Sequence, residues 1–162
     1  MNTHSTATAL TRKAMMNFVR SWVAAWNRHN ADSVLSHFMD ESVFVSPVAS
    51  KYVGSPVIGG KSELSRHWHA ALDRLSTFEL KLDCASWEPE RRGLNVVYES
   101  NLNGVRRRSG EMMTFNTDGG QIRGGALYGA ELWRTSPLAN ACVKLQISRT
   151  AQMPMQLHNM EA

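Results

Sequence analysis

The chain has 162 residues, of which 43% are hydrophobic and 20% charged, a balance typical of one globular domain with its own core. Its formal charge of +4 is a mild excess, which argues against a nucleic-acid partner, although RNA binding through the arginines at 91–92 and 106–108 stays an alternative. The N-terminus lacks the apolar core of a signal peptide, and no stretch has the length and apolarity of a membrane helix. We therefore expect a cytoplasmic protein that has no membrane partner.

The chain has two cysteines, Cys84 and Cys142, and they show neither a CxxC pair nor Cys/His spacing. This pattern argues against a disulfide scaffold and against a zinc site. We expect both to be small buried thiols.

The first half of the chain predicts three helices. Apolar residues recur at three- and four-residue spacing from Thr11, which predicts an amphipathic helix that ends near Asn30. We expect Asp32 to cap a second, shorter helix whose apolar face ends at Phe38. A third helix is expected to run from its N-cap Ser62 to about residue 75, after a glycine- and proline-rich loop at 49–61.

Strands account for most of the remaining predicted structure. The residues Val43–Val45 favour a strand that ends at Pro47. After residue 76 the sequence alternates, and the segments GLNVVYESNL and VRRRSGEMMTF flank Asn103-Gly104, a strong hairpin signal. A last strand is expected at 122–133. We expect residues 1–10 to be disordered, one domain at 11–135, and a C-terminal extension of uncertain structure at 136–162.

Three helices followed by a long run of strands predict an α+β fold. In this arrangement a strongly curved sheet, antiparallel or mixed, wraps around the helices. The concave face of the sheet would then hold the core and any pocket.

Glu111 is the most informative single residue, because it lies among methionines and a phenylalanine in a predicted strand. If Asn103-Gly104 is a two-residue turn, Tyr98 faces Ser109 and Val96 faces Glu111. The face that carries Glu111 also carries most of the apolar side chains of the hairpin, so Glu111 should point inward. A one-residue bulge near Gly110 would reverse this orientation.

An inward carboxylate needs a partner or a proton, because burial of an unpaired charge is costly. Desolvation would raise the pKa of Glu111 and make it a candidate acid or base in a pocket. The alternative is a structural glutamate that is hydrogen-bonded to the backbone or paired with an arginine. Its position alone leaves both interpretations open.

Several motifs resemble one known superfamily. They are WVAAWN at 22–27 with Asp32, ESVFVSPV at 41–48, the helix start GGKSELSRHW at 59–68, and MTFNTDGGQIRGGALYG at 113–129. Together they resemble the NTF2-like, cystatin-like α+β cone superfamily, and within it the ketosteroid isomerase and SnoaL-like polyketide cyclase group. The resemblance implies a cone of three helices on a curved sheet. It says little about activity, because the fold hosts enzymes and non-catalytic binders alike.

The resemblance also implies site residues. In ketosteroid isomerases a helix tyrosine and a protonated strand acid bind the oxyanion, and an aspartate before a Pro-Val pair is the base. Carried onto this chain, the strand acid falls on Glu111, the base on Ser46 and the tyrosine on Trp22. Serine cannot abstract a carbon-bound proton without a base of its own, and the indole only donates its N–H.

The resemblance and the hairpin parity predict an apolar pocket for a flat hydrophobic ligand. Glu111 and Ser46 are the candidate catalytic residues; the expected ligand-contacting residues are Trp22, Phe44, Trp68, Val96, Tyr98, Met113 and Tyr128. Gly124 and Gly125 are expected to leave extra room, and Trp26 is expected in the core rather than the pocket. No cofactor or metal is implied.

Two functions follow as alternatives. The first is acid/base isomerisation, cyclisation or dehydration next to a carbonyl of a bound hydrophobic molecule. The second is a non-catalytic ligand-binding or dimeric assembly module, because the base and tyrosine positions are Ser46 and Trp22. The resemblance also implies a homodimer through the outer sheet face. His67 and His69, two residues apart on the third helix, point in different directions, and we expect both at the surface.

Overall fold

The computed structural model describes residues 10–128, without the side chains at positions 48, 51, 52, 122 and 126–128. The helices are α1 (Arg12–Asn27), α2 (Ala31–Leu35), α3 (Ser50–Val53) and α4 (Lys61–Leu72); the strands are β1 (Phe38–Val45), β2 (Val57–Gly59), β3 (Phe78–Glu88), β4 (Gly93–Leu102), β5 (Val105–Phe115) and β6 (Gln121–Tyr128). The strands form one curved sheet in the order β2-β1-β6-β5-β4-β3, with β1 and β6 parallel and the other pairs antiparallel. The predicted α+β cone with a mixed sheet is confirmed.

Helix α1 forms where the periodicity predicts it. The Thr11 hydroxyl accepts a hydrogen bond from the Ala14 amide at 3.1 Å and caps the first turn. The buried stripe contains Val19, Trp22 and Trp26, which pack against the inner face of the sheet.

Asn27 ends α1 and ties it to the edge of the sheet. Its side-chain amide donates to the Leu80 carbonyl at 2.9 Å and its oxygen accepts from the Leu80 amide at 2.6 Å. Strand β3 is the last strand of the sheet, so these backbone groups of Leu80 have no neighbouring strand to bond. Asn27 therefore satisfies an open edge and fixes the distance between α1 and β3.

Two predicted helix starts are wrong by a few residues. Helix α2 is capped by Asn30, whose side-chain oxygen accepts from the Ser33 amide at 2.9 Å, and Asp32 lies inside its first turn. Phe38 does not belong to that helix, because it pairs with Gln121 and opens β1. Helix α4 begins after Gly60, whose φ of +85° is a conformation that glycine adopts at little cost.

The segment 49–61, expected to be loop, contains regular structure. It forms the short helix α3 and the strand β2, which pairs with the end of β1 through Phe44 and Ile58. The alternation signal is absent because a three-residue strand is too short to show it. This segment positions Ser46, whose amide donates to the Pro56 carbonyl at 2.8 Å.

The β4–β5 hairpin has the predicted register. Leu102 pairs with Val105, and Val96 pairs with Glu111, with no bulge along the pair. Asn103 and Gly104 have φ of +51° and +83°, which fits the two-residue turn that an Asn-Gly pair favours. The Asn103 side chain also accepts from the amides of Ser76 and Thr77, at 2.7 and 3.2 Å, and ties the turn to the start of β3.

Cys84 forms a disulfide bond, so the expectation of a free thiol is wrong for this residue. Disulfides persist mainly in oxidising compartments, so this bond does not favour the expected cytoplasmic location, which stays a prediction.

Within residues 10–128 no helix is long and apolar enough to cross a membrane. The predicted N-terminal disorder, the C-terminal extension at 136–162 and the end of the last strand lie outside the described residues.

Candidate functional site

A cavity of about 440 Å³ lies between α4 and the inner face of the sheet. Its volume falls in the range of small-ligand pockets, roughly 300–1,000 Å³. Most of the lining is aromatic or aliphatic, including Trp22, Trp26, Phe44, Trp68, Phe78 and Tyr98. Polar side chains line it as well: those of Ser46, Ser100, Ser109 and Glu111, and, on α4 and in the turn after it, those of Glu63, Arg66, His67 and Arg74.

Glu111 lies where the packed core ends and the cavity begins. Val96, directly opposite on β4, and Met113, the next inward residue of β5 away from the turn, are each 1% exposed and do not line the cavity. Toward the turn, the next inward positions are Tyr98 and Ser109, which both line the cavity. Glu111 thus forms part of the cavity floor.

The surroundings of Glu111 keep it protonated. The side chain is 5% exposed, and β5 is an interior strand whose backbone bonds β4 and β6. Its Oε1 atom is fully buried and has no hydrogen-bond partner among the described residues. Desolvation by burial raises the pKa of Glu111 from 4.5 to about 8. Near pH 7 about nine-tenths of the molecules therefore carry a neutral acid at this position.

Trp22, which lines the same cavity, carries a second buried polar group. Its side chain is 1% exposed, and its Nε1 donor is buried without a hydrogen-bond partner among the described residues. The indole packs edge-on against Trp26 and tilted against Tyr98, with ring centroids 6.4 and 5.7 Å away. These contacts fix the ring. A buried N–H without a partner is uncommon in native structures, and it marks a place for a ligand or a water oxygen.

Trp68 is the centre of the aromatic wall on the α4 side. Its ring meets those of Trp26, Phe38 and Phe44 in edge-to-face geometry, with centroids 5.0, 5.3 and 5.3 Å apart. Such arrangements stabilise aromatic pairs beyond their burial. The wall is therefore rigid, and it offers flat apolar surface to a ligand.

Apart from Trp68, the lining residues on α4 and in the turn that follows it are exposed or half-buried, and we call this side the mouth of the cavity. Arg66, His67 and Arg74 line this mouth together with Ala70 and Ala71. The pKa of His67 is lowered, first by burial and then by the charge of Arg74, so its imidazole is neutral near pH 7.

Solved structures share this architecture. A SnoaL-like protein of unknown function from Burkholderia thailandensis is 23% identical with a TM-score of 0.67, and the match covers 75% of this chain and 99% of that one. An NTF2-like protein of unknown function from Burkholderia pseudomallei is 17% identical with a TM-score of 0.61, over 75% and 97%. The epoxide hydrolase/cyclase-like enzyme SalBIII, with a role in pyran ring formation in the polyether salinomycin, is 12% identical with a TM-score of 0.59, over 73% and 92%.

This chain has the NTF2-like fold. The identities are all below a quarter, so the similarity extends to the fold and not to an activity. No protein-family model matches the sequence, and no curated protein is similar to it.

The NTF2-like cone places most of the expected site residues around the cavity. Glu111 and Ser46 line it, and so do four of the expected ligand-contacting residues, Trp22, Phe44, Trp68 and Tyr98. Val96 and Met113 do not, because they are fully buried in the packed core. The backbone of Tyr128 pairs with Ser109, but its side chain lies outside the described residues.

Other expectations about the pocket are incomplete or wrong. Trp26 belongs to the core, as expected, and lines the cavity as well, and His67, expected at the surface, is half-buried and also lines it. The space beside Gly124 is not free, because a Cβ there would lie 2.8 Å from the Phe44 ring. The missing side chain of Gly124 therefore makes room for Phe44 rather than for a ligand.

Sequence reasoning missed Ser100 and Ser109 as lining residues, although the hairpin parity places both on the inner face. Their hydroxyl oxygens are 3.5 Å apart, and the Ser100 hydroxyl donates to the Arg107 carbonyl at 3.3 Å. In the sequence, two serines and a glutamate on the otherwise apolar inner face of the hairpin form a polar stripe. This stripe could have predicted that both serines line a pocket. The α4 residues at the mouth carried no comparable signal, because exposed arginines on a helix are common.

Proposed function

We propose that the protein binds a flat hydrophobic molecule in the cavity and that neutral Glu111 donates a hydrogen bond to a carbonyl or enol oxygen of this ligand. One observation carries the proposal. A carboxyl group that holds its proton to a pKa of about 8 lies on the floor of an aromatic cavity, and its Oε1 atom has no partner among the described residues.

Trp22 supports the same assignment. Trp22 lines the cavity, its N–H is a second buried donor without a partner among the described residues, and two donors suit an oxygen that accumulates negative charge. The chemistry that fits is isomerisation, cyclisation or dehydration next to a carbonyl, in which a neutral acid stabilises a developing enolate. The cyclase-like enzyme SalBIII shows that the same fold can carry ring-forming chemistry.

A non-catalytic ligand-binding protein is the second candidate. Ser46 stands where an isomerase would have its base, and its hydroxyl cannot remove a carbon-bound proton unaided. Binding is common to both candidates and is tested first.

Acetylnaphthalene, an aromatic ketone, and ethylnaphthalene, which lacks its oxygen, form a matched probe pair. Near neutral pH we expect the ketone to bind about tenfold more tightly, because one hydrogen bond from a neutral acid is worth about 1.4 kcal/mol in this setting. The advantage should disappear above about pH 8, where Glu111 ionises and no longer donates. Isothermal titration calorimetry at a series of pH values measures both affinities.

Two variants serve as controls for this pair. The Glu111→Gln amide still donates, so it should keep the advantage of the ketone at every pH. The Glu111→Leu side chain has no donor and should abolish the advantage while ethylnaphthalene still binds. An equal ketone advantage in native protein and Glu111→Leu would contradict donation by Glu111.

Dimerisation through the outer sheet face is a separate part of the proposal and rests on the resemblance to NTF2-like proteins. Met112, on the outward face of β5, is 41% exposed, and an exposed apolar side chain there suits such a contact. A dimeric assembly role would be compatible with an empty or an occupied cavity.

A further inference from the structure

Two serines extend the polar part of the cavity beyond Glu111. Ser109 is the next inward residue of β5 toward the hairpin turn, and Ser100 follows diagonally on β4, opposite Arg107. Both serines are buried and line the cavity. Because inward residues of one strand repeat about every 7 Å, the serine pair begins one such step from Glu111 and continues away from it.

The hydrogen bonds of this pair run in one direction. A carbonyl oxygen only accepts, so the Ser100 hydroxyl uses its one proton on the Arg107 carbonyl, at 3.3 Å. The two serine hydroxyl oxygens are 3.5 Å apart, and because the Ser100 proton is already used, Ser109 is the donor between them. A hydroxyl oxygen can accept two hydrogen bonds, so Ser100 keeps one lone pair for a further donor.

The surroundings of this lone pair are apolar. Leu80, the partner of Ser100 on β3, and Leu102, two residues further along β4, both line the cavity. Within residues 10–128 the two serine side chains form no other hydrogen bond. Ser100 retains 4% exposure and Ser109 none, so a ligand in the cavity reaches the Ser100 oxygen. An acceptor in apolar surroundings is selective, because a ligand group that cannot donate covers it without replacing its lost water.

We infer that Ser100 is a second ligand-binding residue, which accepts a hydrogen bond from a hydroxyl group of the ligand. The inference rests on the proposed function and restricts its ligand class to hydroxyl-bearing ketones. The ketone oxygen accepts from Glu111, and the hydroxyl donates to Ser100. These opposite roles fix the direction in which the ligand lies, because a reversed ligand would set its ketone oxygen against the Ser100 oxygen, two acceptors with no proton between them.

Three aromatic ketones test this role in the native protein. Hydroxyacetylnaphthalene has a hydroxyl at the end of the rings far from the ketone, methoxyacetylnaphthalene has an ether oxygen there that cannot donate, and acetylnaphthalene has neither. The affinities are measured by calorimetry below neutral pH, where Glu111 and the naphthol hydroxyl both keep their protons. We expect the hydroxyl compound to bind about fivefold more tightly than the methoxy compound, the effect of one neutral hydrogen bond.

Variants of Ser100 assign this preference to one side chain. Ser100→Ala removes the acceptor and should abolish the fivefold preference, while acetylnaphthalene, which has no hydroxyl, binds as before. Ser100→Thr retains a hydroxyl and should retain the preference. Ser62→Ala makes the matched change at an exposed position of α4 that does not line the cavity, and it should leave all three affinities unchanged.

The possible failures have different meanings. If the native protein binds the methoxy compound as tightly as the hydroxyl compound, or more tightly, Ser100 does not accept a ligand hydroxyl. This comparison needs no variant, so it decides the question even if Ser100→Ala does not fold. A preference that survives in folded Ser100→Ala would also overturn the role of Ser100. Both results leave the hydrogen bond from Glu111 in place, whereas failure of acetylnaphthalene to bind folded native protein would overturn the proposed function and the role of Ser100 with it.

Discussion

Replacing Glu111 with glutamine should remove a pH-dependent loss of stability of about 5 kcal/mol. In the unfolded chain the pKa of Glu111 has its ordinary value of 4.5, and in the folded chain burial raises it to about 8. Between these two values the folded chain binds more protons than the unfolded chain, so the free energy of unfolding falls as the pH rises. The loss is absent below about pH 4.5 and complete above about pH 8, since each pKa unit corresponds to about 1.4 kcal/mol.

Urea unfolding of the native chain and Glu111→Gln, across this pH range, measures the effect. The difference between the two curves isolates Glu111, because the other titrating groups are common to both. A loss of about 5 kcal/mol is a large part of the stability of a typical domain, roughly 5–15 kcal/mol. A difference that does not change with pH would show that Glu111 is solvated or paired in the folded state.

Trp68→Ala should destabilise the fold by about 3–5 kcal/mol, the usual cost of emptying a large aromatic site in a packed cluster. Trp68 is 6% exposed and touches the rings of Trp26, Phe38 and Phe44 within centroid distances of 5.0–5.3 Å. The remaining rings cannot close the space without leaving their edge-to-face geometry. Chemical denaturation near neutral pH measures the loss.

Val105→Ala provides the control for this substitution, because Val105 is 51% exposed near the hairpin turn and should change stability by about 0.5 kcal/mol or less. Trp68→Phe should give an intermediate loss. A cost of about 1 kcal/mol or less for Trp68→Ala would mean that the aromatic wall of the cavity is loosely packed.

The orientation of Glu111 was predictable from sequence because it depends on one local feature. Asn103-Gly104 fixes a two-residue turn, and the alternation of side chains then places Glu111 opposite Val96 on the inner face. The α1 stripe is equally local, since Thr11 and the helical spacing determine it. Such features need no knowledge of distant contacts.

The sequence does not predict which inward side chains are covered by the core and which reach the cavity. Val96, Glu111 and Met113 share one face, yet only Glu111 reaches the cavity, because the other two are covered by the packed core. Similarly, Gly124 suggested free space that Phe44 fills from the neighbouring strand. Both outcomes depend on how separate elements pack, which periodicity along the chain does not encode.

The most direct test of the central claim is the protonation state of Glu111 itself. Infrared difference spectra between the native protein and Glu111→Gln, recorded during a pH titration, isolate the carboxyl band of this residue. We expect a protonated carboxyl band near neutral pH that is replaced by a carboxylate band with a midpoint at about pH 8. A carboxylate band already present at neutral pH, with a midpoint near the ordinary value of 4.5, would contradict a neutral acid in the cavity.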